Sequence, residues 1–148
     1  MKKRLFGLIL AAAFCVLFFA GCANRIDYSL PSNPTAFNTG TFVNPNDEDD
    51  AYQSIEYNGR TYVCYGTIKG KLDGNDVGEC LGYIVQDGVK DENARVFKLT
   101  DDADGNYLVN IYVGGIMDQP IFYRAVDTAG KDIYTPKYIY DLGYDFWR

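Results

Sequence analysis

Ile55-Glu56-Tyr57-Asn58-Gly59-Arg60-Thr61-Tyr62-Val63 is a pair of short alternating runs joined by Asn-Gly. Both positions of a two-residue hairpin turn of this kind need positive φ, which Asn and Gly adopt with the least strain. The stretch therefore predicts a β-hairpin with Tyr57 opposite Arg60 and Ile55 opposite Tyr62. That register puts Ile55, Tyr62 and Cys64 on one side and Glu56 and Thr61 on the other. Further strands are predicted over Glu79–Gln86, Ala94–Leu99, Tyr107–Val113 and Gln119–Val126, punctuated by Gly, Asn and Asp. From Tyr138 to Phe146 alternate positions carry Tyr138, Tyr140, Leu142, Tyr144 and Phe146, a period-two pattern with one largely aromatic face. No window carries a sustained 3.6-residue apolar repeat with good caps, so helix is expected to be minor. The reading is all-β: a small antiparallel barrel or sandwich over residues 51–148.

The N-terminal region is of another kind. Lys2, Lys3 and Arg4 precede an unbroken apolar run from Leu5 to Gly21, the layout of a secretory signal peptide over residues 1–21. The run ends in Phe19-Ala20-Gly21-Cys22, which resembles the lipobox of bacterial lipoproteins, although Phe19 departs from the usual Leu. The resemblance implies a lipid on Cys22, an N-terminal membrane anchor, and a location on the extracytoplasmic side of the cell membrane. An uncleaved membrane helix is the competing reading, because 17 apolar residues reach the short end of the ~17–25 that span a bilayer. Residues 22–50 hold Pro31, Pro34 and Pro45 among many Asn, Ser and Thr, and end in Asp47-Glu48-Asp49-Asp50. They read as a lipidated Cys followed by a flexible, disordered tether. The segment from Met117 through Arg124-Ala125 and Thr135-Pro136 to Trp147 is also similar to small lipoproteins of gut Gram-positive bacteria that form no defined family, and that likeness implies no activity.

Charge and composition narrow the function. The 148 residues include no His, which removes histidine bases, Cys–His pairs and almost every His-containing metal site. Loss of residues 1–21 would take Lys2, Lys3 and Arg4 away and leave 11 basic against 20 acidic side chains, a net charge of −9. Such a chain repels phosphate backbones, so nucleic acid is not an expected partner. Cys15 falls in the signal segment, leaving Cys64 and Cys80 as a pair in an oxidising compartment, where a bridge worth ~3 kcal/mol is expected. Two buried thiols are the alternative. No cofactor, metal or catalytic set is expected. Asp102, Asp104 and Gly105 resemble a calcium loop started at Thr100, but Ile111 stands where the bidentate Glu is needed.

Tyrosine is the most suggestive residue type, with 13 copies. Tyr138, Tyr140, Tyr144 and Trp147 form the expected binding face, suited to a protein surface or a glycan. The expected function is a lipid-anchored binding or adaptor module of the cell envelope, and no enzyme. Two alternatives stand beside it. One is an inhibitor or immunity-type lipoprotein that masks a cationic hydrolase with an acidic loop, at Asp73–Glu79 or Asp101–Asp104. The other is an envelope hydrolase with paired carboxylates.

Overall fold

The computed structural model describes residues 24–115 and 119–148. The expected signal peptide 1–21 and the lipidation site Cys22 lie outside the described residues. The described chain is all-β: β1 (Thr35–Asn38), β2 (Gly40–Asn44), β3 (Asp47–Tyr57), β4 (Arg60–Ile68), β5 (Val77–Gln86), β6 (Val89–Leu99), β7 (Tyr107–Tyr112), β8 (Ile121–Ala125) and β9 (Ile139–Asp141). A single 3-10 turn follows β8 at Val126–Thr128, and another follows β9 at Asp145–Trp147. The sheet order is β1-β5-β6-β7-β8-β4-β3-β2, with β9 added beside β4. It curls into a half-barrel, and its two edge strands β1 and β2 are separated in the chain by Thr39 alone.

The central hairpin forms as its sequence dictates. Asn58 and Gly59 adopt φ of 50° and 75°, and Tyr57 pairs with Arg60 and Ile55 with Tyr62. Asp87-Gly88 repeats the device, with φ of 52° and 77°, to turn β5 into β6. One pairing departs from the antiparallel expectation: β1 lies parallel to β5, with Thr35 opposite Gly82 and Asn38 opposite Val85.

Two apolar clusters hold the sheet from its two sides. The inner one gathers Phe37, Ile55, Tyr62, Ile84, Val96 and Tyr123 within the curl. The outer one is built on Phe97, Tyr107, Val109 and Phe122. It is covered by Ile26 and Tyr28 from the N-terminal segment, Leu72 from the β4–β5 connection, and Ile133, Tyr138 and Trp147 from the C-terminal segment. Adjacent residues such as Val96-Phe97 and Phe122-Tyr123 are consequently both buried, as in strands covered on both faces.

The described part of the tether expected over 22–50, residues 24–50, is packed into the fold instead. The Asn24 carbonyl already accepts from the Gly74 N–H at 2.7 Å, and residues 35–50 lie in the sheet. Ile26, Tyr28 and Phe37 supply the apolar contacts that the Pro and Asn around them disguise. The acidic run is part of a hairpin, closed where Asn44 Nδ2 donates to Asp50 Oδ2 at 2.8 Å and the Tyr52 hydroxyl donates to the same oxygen at 2.6 Å.

The expected Cys64–Cys80 bridge is absent, and both thiols are free. Cys64 packs against the inner cluster and Cys80 against the outer one, on opposite faces of the sheet. Strands β8, β7 and β6 stand between their strands, whereas a disulfide needs Cα atoms within about 7 Å. Alkylation of the denatured, unreduced chain followed by peptide mass analysis is expected to tag both Cys64 and Cys80; an untagged linked peptide pair would contradict this arrangement.

Candidate binding site

The half-barrel opens at one end into a cavity of about 990 Å³, at the upper limit of the range usual for ligand pockets. Its floor is the unfilled end of the inner cluster: Ile84 from β5, Ala94 from β6, Tyr123 from β8 and Cys64 from β4. Beside the cavity β4 changes partner along its length. Residues 60–63 pair with β3, whereas Gly66, Thr67 and Ile68 pair with β9. Gln53 of β3 and Tyr144, which follows β9, both line the opening.

The rim is apolar. Val89, Tyr112, Ile121 and Leu142 line it and are all exposed, Val89 by 68 %. They are four of the seven large apolar side chains exposed among the described residues, so exposed apolar surface concentrates at this mouth. The Asp87-Gly88 turn places Val89 there, and the β7 and β8 ends supply Tyr112 and Ile121.

Hydrogen-bonding groups in the lining are mostly neutral: Gln53, Gln86, Asn110, Gln119 and Thr67. The Tyr123 hydroxyl donates to Gln53 Oε1 at 2.6 Å, and Thr67 Oγ1 donates to the Pro120 carbonyl at 3.0 Å, which fixes these side chains. Among the described residues, Asp87 and Asp91 are the carboxylates of the lining, and no Lys or Arg belongs to it. Burial pushes the Cys64 thiol and the Tyr123 phenol up from their ordinary pKa values, so both stay protonated at neutral pH. A protonated, desolvated thiol is a poor nucleophile and a poor metal ligand. The arrangement suits reversible binding of a partly apolar molecule with neutral or cationic polar groups.

The aromatic residues singled out near the C-terminus are not one face. β9 lasts three residues, and Gly143, with φ of 72°, turns the chain into the 3-10 turn at Asp145–Trp147. Tyr138 lies over Phe122 at 6.0 Å and donates its hydroxyl to Asp101 at 2.5 Å. Trp147 packs edge-on to Tyr65 at 5.6 Å and donates its indole N–H to the Cys64 carbonyl at 3.0 Å. Its ring also covers the buried Arg124 guanidinium at 4.9 Å. Tyr140 is exposed, and Tyr144 lines the cavity and sits 5.2 Å from Tyr52. Of the four, Tyr144 alone reaches the candidate site.

The acidic loops are largely engaged within the fold. Asp101 takes the hydroxyls of Tyr134 and Tyr138, and Asp102 accepts the Tyr107 N–H at 2.6 Å. Asp73 and Asp76 cap their own turn, accepting the Asn75 N–H at 2.7 Å and the Asp73 N–H at 3.0 Å. Burial holds the Asp102 carboxyl above the usual range. Among the described residues no three Cys, Asp or Glu side chains come together as a metal site. No protein-family model, curated protein or solved structure matches this chain.

Proposed function

We propose that the protein is a lipid-anchored, extracytoplasmic binding module of the cell envelope that holds its ligand in the cavity at the open end of the half-barrel. The location rests on the basic start, apolar run and Phe19-Ala20-Gly21-Cys22 of the N-terminal sequence. The binding role rests on one observation: an apolar-floored cavity whose mouth gathers Val89, Tyr112, Ile121 and Leu142. A lining without Lys or Arg among the described residues disfavours phosphorylated and other strongly anionic ligands. The amide side chains favour a ligand that offers amide or hydroxyl groups beside an aliphatic or aromatic part, as a peptide or a modified glycan of the envelope does.

The neutral dye Nile red is a suitable first probe, since it needs only the apolar floor. Titration of the full chain is expected to give saturable, blue-shifted emission. The double variant Ile121→Asp, Leu142→Asp changes only exposed rim positions and is expected to weaken binding at least tenfold while leaving the circular dichroism spectrum unaltered. Equal binding by the folded variant, or no saturable binding by the parent, would overturn the cavity as the binding site.

A further inference from the structure

We infer that the membrane anchor and the cavity mouth stand at opposite ends of β5, so that the cavity opens away from the bilayer and receives a water-borne ligand, not a membrane lipid. The inference rests on the lipid-anchor reading above, and the fold supplies the direction. The first described residue, Asn24, is fastened where the chain enters β5. Its carbonyl accepts the Gly74 N–H at 2.7 Å and its side-chain amide donates to Asn75 Oδ1 at 2.7 Å. The same turn leads directly into β5, with the Val77 N–H donating to the Asp73 carbonyl at 3.3 Å. The approach is close enough that a Cβ on Gly74 would stand 2.6 Å from the Arg25 carbonyl oxygen.

From that point the N-terminal segment follows the sheet in the direction of β5. Tyr28 stands edge-on to Phe97 at 6.0 Å, and β1 then pairs in parallel with Gly82–Val85. The β5 residues of the cavity, Ile84 and Gln86, are at the far end of the strand, next to the rim turn at Asp87. Val77 and Gln86 are its two ends, at most about 30 Å apart at ~3.3 Å per residue. Cys22 precedes Asn24 by two residues, a reach of about 7 Å at most. A lipid on Cys22 would therefore hold the Gly74 end of the domain at the bilayer, leaving too little chain to bring the mouth down to it.

The test uses the full-length protein purified from membranes and reconstituted in phosphatidylcholine–phosphatidylglycerol vesicles carrying a headgroup nitroxide. In a Cys64→Ser, Cys80→Ser background, a fluorophore is placed through Arg25→Cys or through Val89→Cys, both exposed positions. Metabolic labelling with a palmitate analogue reports the anchor separately: label that is present in the parent and lost in Cys22→Ala supports it. The expected result is quenching at position 25 at least about threefold stronger than at position 89. Comparable quenching at both positions on lipid-labelled protein would overturn the orientation alone. Absence of the lipid label would overturn the anchor reading, and the orientation with it.

Discussion

Gly82→Val is expected to remove about 3–5 kcal/mol of stability, a large part of the ~5–15 kcal/mol that holds a domain of this size. Gly82 of β5 stands opposite Thr35 of β1. Any Cβ there would land on the Thr35 carbonyl oxygen and within 2.7 Å of the Thr35 nitrogen and carbonyl carbon. Backbone cannot yield as a flexible side chain does, so β1 must leave β5. Phe37, only 1 % exposed in the inner cluster, leaves with it, and loss of a buried Phe costs ~3–5 kcal/mol. Gly78 in the same strand is the internal control. A Cβ there meets nothing nearer than the Lys98 carbonyl oxygen at 3.4 Å, so Gly78→Ala should shift stability by less than about 1 kcal/mol. Urea denaturation of the two variants checks this; matching midpoints would mean that β1 is not essential to the fold.

Deletion of residues 138–148 is expected to abolish cooperative unfolding altogether. It removes β9 from β4, the buried Ile139, and the Tyr138 and Trp147 rings that cover the outer cluster. Tyr65 and Phe122 would then face water, and the Arg124 guanidinium would lose one of its two aromatic neighbours. Trp147→Ala is the graded version, with an expected loss of about 3 kcal/mol. Near-ultraviolet circular dichroism and limited proteolysis read both. A truncated chain with a sharp melt would show that the inner cluster is sufficient.

These two variants mark where local sequence stops being informative. The hairpin at Asn58-Gly59 was legible because its turn chemistry is contained in two residues, and β5 to β8 because alternation and glycine punctuation are local as well. β1 and β2 were hidden. Thr-Ala-Phe-Asn and Gly-Thr-Phe-Val-Asn are short, polar and flanked by prolines, and they become strands through partners on β5 and β3. The alternation after Tyr138 was real but misleading, since Gly143 turns the chain after three residues of β9. An even cysteine count carries no information about faces, and Cys64 and Cys80 occupy opposite ones. The cavity is assembled from the ends of several strands and has no contiguous motif. The readable trace of it was Asp87-Gly88, a second tight turn of the Asn58-Gly59 type, which carries Val89 to the rim.

The chain passes from one edge of the sheet to the other through Thr39, whose N–H donates to the Val85 carbonyl at 2.9 Å. A curled sheet finished in this way has both of its margins held by one continuous segment, so that β1 cannot leave β5 without pulling on β2 and, through it, on β3. Thr39 therefore acts as a selvedge, a single residue that binds the two margins of the sheet into one seam.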